Sequence, residues 1–307
     1  MMTVRLAALA VAIATQLPLH AAEPGPEERA IDYLAREVPL WSKENGCFSC
    51  HNNGDGVRAL YAAVQLRYPV PEAALADSGE WLSHPAKWDS NRGNPVFSDK
   101  KLARIQFAAA LSAGLDAGVL ADRQALVNAA EPLLHDQDSD GSWQVDVGAV
   151  LGSPVTYGAT LATQTVRHTL VAAHDARFAA AIAKADRWLA AQKPNSVMDA
   201  AALLLATPTR DDAMQFLLAA QNSDGGWGPQ PHAPTEVFDT AMALLGLSGA
   251  GGGMDILDRG RGYLIRAQLP PGGWTETTRP TGASSYAQHI STCAWATLAL
   301  LATHPKR

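Results

Sequence analysis

Phe216-Leu217-Leu218-Ala219-Ala220-Gln221, followed at once by Asn222-Ser223-Asp224-Gly225-Gly226-Trp227, is the stretch that decides the fold. It reads as the apolar end of a helix, a Gln, a glycine turn and a Trp. The same order recurs in Leu133-Leu134-His135-Asp136-Gln137 with Asp138-Ser139-Asp140-Gly141-Ser142-Trp143. It recurs again in Tyr263-Leu264-Ile265-Arg266-Ala267-Gln268 with Leu269-Pro270-Pro271-Gly272-Gly273-Trp274. Asp140 and Asp224 fit turn formation better than calcium ligation.

Working outward, most turns lead into an alanine-rich helix. Val237 to Leu245 and Ser291 to Leu300 are apolar on nearly every face, so they are expected to be buried inner helices. The helices before each turn are amphipathic and belong outside. Weaker copies surround these. Trp188 to Gln192 precedes Met198 to Ala206, and Glu80-Trp81-Leu82 precedes Leu102 to Leu115. Ile31-Asp32-Tyr33-Leu34 precedes a cysteine-containing loop and Val57 to Gln65. Repetition of one supersecondary unit predicts six outer–inner hairpins, at 26–66, 72–115, 122–173, 175–206, 209–248 and 254–303.

These Gln…Gly-x-Trp segments resemble the repeat of squalene–hopene cyclases. Residues 23–307 as a whole resemble one ring of the terpenoid cyclase and protein prenyltransferase superfamily. The resemblance implies an all-α, single (α/α)6 toroid of six inner helices within six outer ones. It also implies that Gln137, Trp143, Gln221, Trp227, Gln268 and Trp274 tie helix ends together and do no chemistry. Class II cyclases protonate an alkene with the middle acid of an Asp-x-Asp-Asp-Thr-Ala motif. The matching stretch, Glu236-Val237-Phe238-Asp239-Thr240-Ala241, places Phe238 at the donor position and leaves Asp239 as the inherited acid. Such cyclases are expected to carry a second helical domain, for which this chain lacks length. Both points disfavour cyclase activity. Prenyltransferases hold zinc with an Asp, a Cys and a His. Asp239, His289 and Cys293 lie near the starts of the last two inner helices but do not reproduce that family's Asp-x-Cys pair. Cys293 reads as a small buried apolar residue.

The first hairpin departs from the repeat. Its loop carries Cys47-Phe48-Ser49-Cys50-His51, the C-x-x-C-H pattern of c-type haem attachment. Three readings stand. A disulfide or redox pair explains the cysteines and leaves His51 idle. A structural zinc site wants four ligands, and this loop offers three. Haem c uses Cys47, Cys50 and His51 together, with His51 as the proximal iron ligand. The loop is expected at the rim where the inner helices start. His84 and His289 are the candidate distal ligands, with Met198 across the ring and an open position as alternatives. His168, inside the third inner helix, is expected to be a core or cavity histidine. The ring centre either forms an apolar pocket for an isoprenoid-like ligand or is filled by its own side chains.

The chain has 307 residues, 47% hydrophobic and 18% charged, with net charge −6 and no long basic run, which argues against nucleic acid as a partner. Residues 1–22 read as a signal peptide: Arg5, the apolar Leu6 to Leu19, then Ala21-Ala22. An uncleaved anchor is the alternative. No later stretch is apolar and long enough to span a bilayer. The sequence thus predicts a periplasmic or secreted haem c protein working in electron transfer or haem-based redox chemistry with a periplasmic redox partner. The alternatives are a binding protein for an apolar, isoprenoid-like small molecule, or a cyclase-like enzyme with a non-standard acid.

Overall fold

A computed structural model describes residues 23–93, 99–145 and 151–305. The segment read as a signal peptide, 1–22, lies outside the described residues. Twelve α-helices occur among the described residues, paired as the repeat predicts. The outer helices are α1 (Pro26–Asn45), α3 (Glu72–Leu82), α5 (Arg123–His135), α7 (Ala179–Ala191), α9 (Asp211–Ala220) and α11 (Met254–Ala267). The inner helices are α2 (Val57–Gln65), α4 (Lys100–Asp116), α6 (Gly158–Ala172), α8 (Val197–Ala206), α10 (Val237–Ala250) and α12 (Tyr286–Ala302). Each inner helix packs on the next, and α12 packs back on α2, so the ring is closed. None of these helices is long and apolar enough to cross a membrane.

The pattern of apolar residues explains which helix goes where. In α10 every residue from Val237 to Leu244 is buried, whereas α11 buries only Gly260, Arg261 and Leu264. An all-apolar helix must be covered on every side, and an amphipathic one can face water.

The repeat motif supplies the joints. The indole Nε1 of Trp143, Trp227 and Trp274 each donates, at 2.8 Å, to a carbonyl ten residues back in its own outer helix. The Trp backbone N–H donates to Thr163 Oγ1, Thr240 Oγ1 or Cys293 Sγ on the paired inner helix. Cys293 therefore holds the place that threonine holds in the other two copies. Each Gln amide donates twice, once to its own turn and once to the next outer helix. Gln137 reaches Ala181 O at 3.0 Å, Gln221 reaches Ile256 O at 3.0 Å, and Gln268 reaches Pro26 O at 2.9 Å. The last of these joins the final hairpin to the first. The turn glycines Gly141, Gly225 and Gly272 have φ of +101°, +94° and +104°. A Cβ there would stand 2.1–2.7 Å from a carbonyl oxygen of the next outer helix, so both backbone conformation and space demand glycine.

Ring closure has an electrostatic part. Glu27 of α1 is buried, pairs with Arg261 of α11, and accepts from His304 Nδ1 at 2.9 Å. Burial pushes its carboxyl up, but the hydrogen bonds from His304 and Arg261 outweigh that and hold it below its ordinary 4.5. A carboxyl with a lowered folded pKa stabilises above its unfolded value and loses that contribution as pH falls through the folded one. Glu27→Gln is therefore expected to cost about 1–3 kcal/mol at pH 7 and progressively less in acid. Urea unfolding of both proteins at neutral pH and near pH 3 checks this; an unchanged difference would contradict it.

Candidate functional site at the ring rim

The first hairpin builds its loop differently from the others. Gly46, at φ +66°, ends α1 by donating to Ser42 O. Asn91 then clamps Phe48: its Oδ1 accepts from Phe48 N at 2.9 Å and its Nδ2 donates to Phe48 O at 2.8 Å. The Phe48 ring stacks on Trp81 at 4.4 Å. The Ser49 hydroxyl accepts from the backbone N–H of His51 and Asn52, capping a wide π-helical segment, Cys50–Gly56, that runs into α2. Its glycines permit close packing, since a Cβ on Gly56 would meet Val38 at 2.8 Å and one on Gly54 would meet Gln106 at 3.0 Å.

Cys47, Cys50 and His51 all line one cavity of about 560 Å³ at this rim. Its other walls are largely apolar, including Trp41, Phe48, Leu102, Val155 and Tyr286. Trp41 and Tyr286 stack at 5.5 Å. The volume lies within the usual range for small-molecule and cofactor sites.

His51 is oriented from behind. Its Nδ1 lies 3.1 Å from Ser291 Oγ, and Ser291 Oγ donates to Asp55 Oδ2 at 2.8 Å. A serine hydroxyl has one hydrogen. With that hydrogen committed to Asp55, the Ser291 oxygen accepts from His51 Nδ1–H. Burial pushes the imidazole down to about 4, so at neutral pH it is uncharged and its Nε2 carries the lone pair. Asp55 is buried and also accepts from Gln106 Nε2 at 2.9 Å and from the Tyr157 hydroxyl. Burial raises its carboxyl to about 6, against the pull of Arg58 and of the hydrogen bonds from Tyr157 and Ser291. Cys50 is pushed well above the ordinary thiol range by burial. A reactive redox thiol needs the opposite shift.

The remaining sequence candidates are elsewhere. His84 is half-buried and its Nδ1 donates to Glu80 O at 2.8 Å. His289 uses both nitrogens, Nε2 at 2.7 Å from the Tyr33 hydroxyl and Nδ1 at 3.4 Å from Glu276. Met198 is buried beside Gly152 and Gly158. None of the three lines the rim cavity, and neither does Asp239. Asp239 is buried and paired with Arg279, which also holds Glu236 at 3.0 Å. Phe238 is buried against Trp295. Among the described residues no group of three or more His, Cys, Asp or Glu side chains is arranged to hold a metal ion. Asp239, His289 and Cys293 thus form no zinc cage. Haem differs in kind, because it needs one nitrogen from the protein rather than a cage.

The ring centre is neither wholly open nor wholly filled. Tyr157 and Phe238 are buried and each meets the buried Trp295 edge to face, at 5.4 and 6.2 Å. The rim cavity lies at the starts of the inner helices. A second cavity, lined by His168 among others, lies toward their far ends.

No protein-family model matches the chain. A stretch of 69 residues is 41% identical to the drimenyl diphosphate synthase of Streptantibioticus cattleyicolor, covering 22% of this chain and 13% of that protein. The type II terpene cyclase MstE from Scytonema superposes with a TM-score of 0.57 at 14% identity, covering 90% of this chain and 97% of MstE. A glycosidase superposes with a TM-score of 0.58 at 13% identity, covering 90% and 98%. The chain therefore has the α/α toroid fold of terpene cyclases. MstE corrects one expectation: a type II cyclase exists at single-ring length, so length alone does not argue against cyclase chemistry. The glycosidase shows that this ring also carries unrelated chemistry.

Proposed function

We propose that this terpene cyclase-type ring is an exported haem c protein whose rim cavity houses the porphyrin. One observation carries the reading. Cys47, Cys50 and His51 line the same apolar cavity while Ser291 holds the His51 Nδ1, leaving Nε2 as the open ligand atom. In this reading Cys47 and Cys50 hold the macrocycle through thioethers and His51 supplies the proximal nitrogen. Ser291 and Asp55 fix the tautomer and angle of that imidazole, as partners behind a metal ligand commonly do. Trp41 and Tyr286 keep water from one side. Bound haem supplies one-electron chemistry at iron. The described cavity lining contains no histidine besides His51 and no methionine, which favours an open distal position and small-ligand or redox chemistry over two protein ligands. Attachment outside the cytoplasm and a periplasmic redox partner belong to the same proposal.

A second reading, the one the comparisons with known proteins favour, has its own support. An arginine-to-alanine variant of MstE has been solved with geranylgeranyl dihydroxybenzoate, its substrate, and the largely apolar rim cavity here suits an apolar guest. In that reading the chain binds an isoprenoid-like molecule at the rim without haem. One experiment separates the two. The protein is produced with a cytochrome c maturation system, its intact mass is measured, and geranylgeraniol binding is followed by tryptophan fluorescence. A haem-sized mass increment on the 47–51 peptide is expected. An unmodified peptide with saturable geranylgeraniol binding would overturn the haem reading in favour of the second.

A further inference from the structure

The far cavity, of about 310 Å³, is lined from all six inner helices. Arg58 of α2 lies at its inner end, with its guanidinium 4.2 Å above the Trp295 ring. Arg58 Nε and Nη2 are buried and have no hydrogen-bond partner among the described residues. The same holds for Ser112 Oγ and Trp295 Nε1, and both residues line the same cavity. All of these are groups that donate. Buried polar groups left unmatched cost about 1–3 kcal/mol each, more when charged, and all three residues stand on the wall of one cavity, so an acceptor bound there would offset that cost.

The protein itself does not supply it. Asp55 lies close enough to act on Arg58 electrostatically, but its oxygens accept from Tyr157, Ser291 and Gln106. Asp116, at the end of α4, lines the cavity but forms no ion pair with Arg58. Its charge acts on His168, whose imidazole burial nevertheless holds below the ordinary range. Among the described lining residues Arg58 is thus the only permanent cation. The rest of the wall is largely apolar, with Ala109, Ala113, Leu205, Leu245 and Leu298, and Gln164 and Thr165 add two polar side chains.

We propose that this far cavity binds a small organic carboxylate with an apolar body, its oxygens on Arg58, Ser112 and Trp295. A planar guanidinium matches a carboxylate in two-pronged fashion, and an aliphatic wall suits a short acyl or aryl group. The volume corresponds to about ten water volumes, which limits the guest to roughly the size of benzoate or hexanoate. The site shares no lining residue with the rim cavity and does not depend on what the rim holds.

Calorimetric titration of the full-length protein with sodium benzoate and sodium hexanoate tests this, with benzyl alcohol and inorganic phosphate as comparisons. Saturable one-to-one binding of at least one carboxylate is expected, with benzyl alcohol and phosphate at least tenfold weaker. Arg58→Gln is expected to abolish binding. Ser112→Ala and Trp295→Phe each remove one donor and should weaken it by about fivefold, one net hydrogen bond apiece. If Arg58→Gln fails to fold by circular dichroism, the other two variants decide. No saturable carboxylate binding, equal binding of benzyl alcohol, preferential phosphate binding, or full affinity in the variants would overturn the proposal.

Discussion

Truncating Trp274 to alanine is expected to destabilise the ring by about 3–5 kcal/mol. Three losses combine. The indole is wholly buried, so its removal leaves a cavity between α11 and α12. Its Nε1–H no longer satisfies Leu264 O, an acceptor that stays buried behind it. The turn it anchors is also the one that holds Gln268 against Pro26, where the ring closes. Gly272→Ala should be comparably harmful for a different reason. Its Cβ would stand 2.1 Å from Arg29 O at a φ of +104°, so α1 must move away from the last turn. Gly282→Ala is the control. It shares a positive φ of +81° but meets nothing within 4 Å, and should lose about 1 kcal/mol or less from backbone strain. Urea unfolding of the three variants measures this. Equal losses for Gly272→Ala and Gly282→Ala would mean that contact across the closure does not matter.

Much of this ring was legible because its joints repeat. Each Gln, Gly and Trp meets the same geometry in each strong copy, so three copies sufficed to place twelve helices. The partner of Gln268 could have been found by carrying the repeat past the last hairpin to α1. Cys293 could have been recognised by aligning it with Thr163 and Thr240, which accept from the equivalent Trp N–H. The candidate site was half legible. C-x-x-C-H announces itself as a local pattern. Asp55 does not, because Asn52, Asn53, Gly54 and Asp55 read in sequence as turn formers. In the fold they are buried, and Asp55 bonds residues far along the chain: Gln106, Tyr157 and Ser291. Nothing local to those three marks them as partners. The donors of the far cavity were hidden in the same way, since Arg58, Ser112 and Trp295 converge only when the ring closes. The distal candidates His84 and His289 rest on a place near the rim, and rim position alone does not say which way a histidine side chain is committed. His289 is held by Tyr33 and Glu276.

The second large effect concerns the rim. If Cys47 and Cys50 are the thioether anchors, the Cys47→Ala/Cys50→Ala double variant should lose covalent haem completely, while helix content stays that of the parent. His51→Ala should keep the thioethers and change the visible spectrum, because only the iron ligand is lost. Loss of both signals together with loss of helix would point to folding rather than attachment, and circular dichroism on the same samples separates these outcomes.

The measurement that bears most directly on the haem proposal is a pyridine haemochrome spectrum of the denatured protein after production with a cytochrome c maturation system. The account predicts a covalently retained c-type spectrum at one haem per chain, absent from the double cysteine variant. A protein that folds as this ring and carries no covalent haem under those conditions would contradict it.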